Sequence, residues 1–134
     1  MMSERALRLL FLSLAVIHLA IGVWMFFFPR SFFATVGAFG AYNPHYLRDT
    51  ATFYFAFALG AGLAVTRPGW RIPVLAVTTL QYLIHTVNHG LDVDNANNSW
   101  AGPFDLVTLA LATVQFAAAL VLLHRARGAR AERA

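Results

Sequence analysis

Gln81–Asp92 reads QYLIHTVNHGLD and closes an otherwise apolar stretch that begins near Ile72. At about 100° per residue, Thr78, Gln81, His85, Asn88, His89 and Asp92 share roughly a quarter to a third of a helix circumference. Leu80, Leu83, Ile84 and Val87 hold the opposite face. Thr79 and Thr86 lie between the two, where their hydroxyls are able to bond to carbonyls of the preceding turn. Which face points inward depends on the solvent. Hydrophobic residues make up 59% of the chain and charged residues 12%, against about 25% charged in soluble domains. That composition predicts a membrane protein. Hydrocarbon makes ionisable groups costly, so the polar stripe is expected to face the bundle interior.

Working outward, 134 residues suit one domain, residues 1–134. Four apolar segments stand out, near 6–28, 50–66, 72–90 and 103–124. They run to about 17–23 residues, and at about 1.5 Å per residue they reach across a core about 30 Å thick. Phe28-Pro29-Arg30, Thr66-Arg67-Pro68-Gly69 and the polar run Asp94–Ser99 separate them. Pro103 suits a first helical turn. The first segment is longer than a signal-peptide core and is expected to persist as a helix. The expected fold is an all-α integral membrane four-helix bundle. Phe32, Phe33, Val36 and Phe39 form a shorter apolar piece, expected as an interfacial helix between helices 1 and 2.

Charge sets the expected orientation. All ten basic residues are arginine. Arg5, Arg8, Arg67, Arg71 and the tail arginines 125, 127, 130 and 133 share one side of a four-span layout. Arg30 and Arg48 occupy the other. The positive-inside rule then puts both termini, with the basic tail 125–134, in the cytoplasm of a bacterial cell bounded by its inner membrane. Asp49, Asp92, Asp94 and Asp105 all fall on the outer side. The net charge of +4 belongs to this topology and accompanies no nucleic-acid motif. With no cysteine, disulfides, thiolate metal sites and cysteine nucleophiles are excluded.

The candidate site is an outward-facing pocket of Gln81, His85, Asn88, His89, Asp92, Asp49, Asp105 and Arg48, with His18 deeper. Asp49 is expected to share an inward face with Thr52, Ala56 and Gly60, and Asp105 with Thr108, Ala112 and Gln115. His85 and His89 are spaced i,i+4, so two imidazoles reach one point; with Asp92 they form a two-histidine, one-carboxylate set suited to zinc or non-haem iron. HTVNH lacks the glutamate of HExxH, so protease chemistry is unsupported and no catalytic set is recognisable. His18 with His85 is the alternative axial pair for a non-covalent haem. Three readings stay open: a pocket for a small polar ligand, proton or divalent metal; a purely structural polar network in an accessory or scaffold subunit; and a haem or iron redox protein. The expected partners are the lipid bilayer and either a second copy or a membrane-complex partner.

Leu47-Arg48-Asp49, Phe53-Tyr54 and Ala58-Leu59-Gly60, with Gly22 and the Phe28-Pro29 stop, resemble small bacterial four-helix membrane proteins of the DoxX-like kind. The resemblance implies a four-helix membrane bundle and an accessory role beside a redox enzyme. It does not extend to the third-helix His/Asn/Asp stripe.

Overall fold

The structure, a computed structural model, describes residues 3–131, with side chains through Gly128. Five α-helices form among them: α1 Glu4–Phe27, α2 Pro29–Thr35, α3 Pro44–Thr66, α4 Arg71–Leu91 and α5 Ala101–Ala131. Short 3-10 turns cover Pro68–Trp70 and Val93–Asn95. The chain is all-helical, with no strand among the described residues. Arg133 and the side chain of Arg130, both counted in the basic tail, lie outside what is described.

Local chemistry sets the helix ends. Ser3 accepts from the Ala6 amide at 3.1 Å and caps α1. Pro29 opens α2 directly after the end of α1, because a proline ring fits a first turn and not an interior. Asn43 caps α3 through the Tyr46 amide at 3.1 Å, with Pro44 in the first turn. That cap–proline pair starts α3 six residues ahead of the expected Thr50. Likewise, α5 starts at Ala101, whose amide is held by Asn98 Oδ1 at 2.8 Å, and continues through Arg125 and Arg127.

α1 packs along α3, and α4 along α5. The two pairs join around Phe11, Leu14, Ala61, Ala64, Leu75, Tyr82, Phe116 and Ala119. α1 and α3 approach closely at Gly22, where a Cβ would lie 2.9 Å from the Phe55 ring. The buried stripe of α3 is Ala51, Ala58, Ala61 and Ala64. The expected inward face, with Asp49, Thr52 and Ala56, is therefore wrong: all three are exposed. Two residues at about 100° each put Asp49 on the far side of the helix from Ala51. On α5 the buried positions are Ala101, Gly102, Asp105, Phe116 and Ala119, while Thr108 and Gln115 are exposed.

α1 and the Ala101–Gly128 part of α5 are long and apolar enough to cross a membrane. α3 and α4, 23 and 21 residues long, fall short of that apolarity. On α4 the large aliphatic side chains Val77, Leu80, Leu83, Ile84, Val87 and Leu91 are exposed, as is Asn88, while Leu75, Thr78 and Tyr82 are buried.

Both ends of the bundle are pinned. At the end where α1 begins and α3 ends, Arg71 is buried and donates to both carboxylate oxygens of Glu4, at 2.9 and 2.6 Å, and to the Ala64 carbonyl at 3.2 Å. The Arg71 hydrogen bonds, helped by Arg8, hold the Glu4 carboxyl down at about 2. At the opposite end, Phe39 bridges to Ala96, and Asn97 bonds to the carbonyls of Ala38 and Gly40 at 2.6 and 2.8 Å. Gly40 has φ 63°, in the left-handed region that favours glycine. These contacts tie the α2–α3 connection to the α4–α5 connection.

Candidate functional site

α4 carries three polar groups down one face, and α5 supplies the fourth. Gln81 Nε2 lies 3.4 Å from His85 Nδ1. His85 Nε2 lies 3.1 Å from His89 Nε2. His89 Nδ1 faces Asp105 Oδ2 at 3.9 Å. Helical spacing i,i+4 sets the first two contacts, since such side chains stack one above another. The third depends on α5 packing against α4 so that Asp105, 8% exposed, is turned inward. Phe39, from the pinned loop, stands edge-on against the His89 ring with centroids 4.9 Å apart.

These contacts set the protons. With the amide group of Gln81 donating, His85 Nδ1 is an acceptor, so its hydrogen sits on Nε2. That hydrogen is donated to His89 Nε2, which leaves the His89 hydrogen on Nδ1, directed at Asp105. The tautomers follow from the orientation assigned to the Gln81 amide. His89 Nδ1 is buried and has no hydrogen-bond partner among the described residues. Its nearest carboxylate stands about 1 Å beyond ordinary hydrogen-bond length. A buried polar group in that position demands a chemical explanation.

A second polar pair lies deeper. His18, 1% exposed, has Nδ1 at 2.8 Å from the Leu14 carbonyl. A carbonyl only accepts, so Nδ1 carries the hydrogen and Nε2 accepts from the Tyr82 hydroxyl at 3.3 Å. The rings of Tyr54, Phe57 and Tyr82 surround it at 5.6–5.8 Å between centroids. With both nitrogens engaged and three rings packed on it, His18 as placed offers no open position to a haem iron. A third link joins the Thr86 and Thr113 hydroxyls at 2.9 Å. Thr86 also bonds to the Tyr82 carbonyl at 2.7 Å, as expected. The Thr79 hydroxyl, expected to bond in the same way, has no hydrogen-bond partner among the described residues, and nothing in the structure explains it.

Several expected site residues stand elsewhere. The Asp49 side chain is 63% exposed and pairs with His45 at 3.3 Å. Arg48 is exposed and donates to the Phe26 carbonyl at 3.3 Å, near the end of α1. Asn88 is exposed. Asp92 accepts from Asn95 at 2.9 Å where α4 ends, because a carboxylate one residue past the helix finds its partner in the following turn. Among the described residues, no three His, Asp or Glu side chains gather closely enough to hold a metal ion. The carboxylate within 4 Å of His89 is Asp105, from α5; Asp92 lies farther off, although its charge still acts on His89.

The residues that sequence reasoning missed are Tyr82 and Phe39. Tyr82 had a signal: Thr78, Tyr82, His85 and His89 follow steps of four, three and four, one continuous helix face. Phe39 had none, since its contact with His89 crosses the chain. No protein family, no curated protein and no solved structure matches the chain.

Proposed function

We propose that this chain is a four-span inner-membrane protein that binds a proton at a His85–His89–Asp105 chain near its outer surface. In this reading α1, α3, α4 and α5 cross the bilayer, both termini are cytoplasmic, and α2 lies at the outer interface. One observation carries the reading: α4 turns six large aliphatic side chains outward, while Thr78 and Tyr82 are buried and Gln81, His85 and His89 are half-buried, Asn88 alone of the polar stripe on the helix being exposed. That pattern is inverted for water and suits hydrocarbon. The two long apolar helices and the clustering of arginines toward the terminal end support it.

The ordered tautomers suit proton uptake. A proton arriving at His85 Nδ1, once the Gln81 amide turns its oxygen there, lets the Nε2 hydrogen pass to His89 Nε2. The His89 Nδ1 hydrogen then passes to Asp105 Oδ2. The result is two neutral imidazoles and one carboxylic acid, one proton richer than before. The 3.9 Å gap closes by side-chain rotation or through one water. The test is a nitrogen-15 histidine NMR titration in lipid nanodiscs. Uptake at one chain makes His85 and His89 titrate as a coupled pair, and Asp105→Asn shifts both. Independent titration of each near the ordinary value of about 6.5 would sink the proposal.

A divalent metal is the second reading, favoured by the two Nε2 atoms 3.1 Å apart. The His85 hydrogen then moves from Nε2 to Nδ1, so that both Nε2 atoms are free to point at one ion, while the Nδ1 hydrogens meet the Gln81 carbonyl oxygen and the Asp105 carboxylate. Such outer partners commonly orient ligand histidines. Stoichiometric zinc or cobalt that is lost in His89→Ala supports this reading, and its absence rejects it. The DoxX-like resemblance adds a proposed setting, an accessory subunit beside a membrane redox enzyme, which co-purification tests.

A further inference from the structure

A groove of about 590 Å3 opens at the loop end of α1, lined by Phe27, Phe28, Pro29, Arg30, Ala34 and Tyr42, with Ser31 beside them. Its walls are almost wholly apolar, and its one formal charge is Arg30. Arg30 is exposed and faces no carboxylate among the described residues. Its guanidinium lies 5.5 Å from the centre of the Tyr42 ring, a cation–π distance. Ser31 accepts from the Trp24 indole at 3.2 Å, which leaves its own hydroxyl hydrogen free to donate. Arg30 and Arg48 are the two arginines that break the charge bias of the chain. Arg48 is accounted for by the Phe26 carbonyl. Arg30 is not.

An apolar groove with a single cation at its rim is complementary to an anion carrying a hydrocarbon chain. Trp24 and Tyr42 beside it are the side chains that mark the boundary between hydrocarbon and headgroups. We infer that this groove binds one anionic phospholipid, with an acyl chain on Phe27, Phe28 and Ala34 and the headgroup phosphate on Arg30 and Ser31. The inference rests on the membrane reading given above and is independent of the histidine chain.

The test begins with an alkaline carbonate wash of membranes holding the full chain. The washed protein is then placed in nanodiscs of equimolar phosphatidylglycerol and phosphatidylcholine with identical chains, and the retained lipid is measured by mass spectrometry. Wild type should keep phosphatidylglycerol about fivefold over phosphatidylcholine, equivalent to about 1 kcal/mol per basic side chain at a membrane surface. Arg30→Gln should bring the ratio to about one, and Arg48→Gln should leave it unchanged. Ala34→Phe, which fills the groove, should lower retention with Arg30 intact. A wild-type ratio near one, a ratio unmoved by Arg30→Gln, or displacement of the lipid by soluble glycerol phosphate overturns the lipid site alone. Release of the protein by carbonate overturns the membrane reading, and the lipid site with it.

Discussion

Replacing Tyr82 by Phe deletes one oxygen and keeps the ring, which stays edge-on against Phe116 at 4.9 Å between centroids. What disappears is the donor to His18 Nε2, 3.3 Å away in a position that is 1% exposed. A buried acceptor left without a partner costs about 1–3 kcal/mol. The bond is at the long end of the usual range, so about 1–2 kcal/mol is expected. His18→Leu removes the same bond from the other side, together with its aromatic contacts and the link to Leu14. In the double variant no donor or acceptor is stranded. Its loss should therefore fall short of the sum of the single losses by about 1 kcal/mol. Reversible unfolding in mixed micelles, followed by circular dichroism, measures all three. Losses that add to within about 0.3 kcal/mol would refute the argument, because they would show that the hydroxyl and the imidazole do not interact.

Glycine positions offer a graded comparison. Gly102→Ala would put a Cβ 1.9 Å from the Val93 carbonyl oxygen, backbone that cannot yield without moving the α4–α5 connection. A loss of about 3 kcal/mol or more is expected, with Asp105 displaced from His89. Gly22→Ala meets the Phe55 ring at 2.9 Å, a side chain that is able to turn, and Tyr54 Cβ at 3.2 Å, which must give by a few tenths of an ångström, so about 1–2 kcal/mol is expected from the same unfolding measurement. For Glu4, the folded value of about 2 lies below the ordinary 4.5. The stabilisation from its pairing with Arg71 is thus fully present above pH 4.5 and is lost as pH falls toward 2. Melting temperature followed from pH 6 to pH 2 should drop across that window in wild type and drop less in Arg71→Gln. Phe39→Ala should bare the His89 ring and raise its reaction rate with diethyl pyrocarbonate several-fold, as read by mass spectrometry of the modified peptide. An unchanged rate would mean that Phe39 does not cover it.

Part of the expected stripe on Ile72–Leu91 was legible because helical spacing puts Thr78, Gln81, His85 and His89 in one line, whatever they touch; Asn88, expected with them, is exposed. Asp105 was legible as a polar group in an apolar segment, and its burial against His89 agrees with that. Asp49 was misread because its face depends on where α3 packs, and four alanines spaced for α1 outweigh one carboxylate in setting that rotation. Asp92 stands apart from the histidine pair for a local reason, since α4 ends at Leu91 and frees the carboxylate to meet Asn95. The cover supplied by Phe39 depends on a bridge to Ala96, a pairing far apart in sequence with no hydrophobic period to announce it.

The central claim is that α4 keeps its imidazoles inside a bundle bathed in lipid. The chain has no cysteine, so single cysteines placed in turn from Val77 to His89 need no background change. Spin labels there, reconstituted in lipid, report collisions with oxygen, which concentrates in hydrocarbon, and with a water-soluble nickel chelate. The account predicts oxygen maxima at Val77, Leu80, Ile84 and Val87, minima at Thr78, Tyr82 and His85, and little nickel at any of them. Nickel maxima on the aliphatic face, or an oxygen maximum at His85, would contradict it.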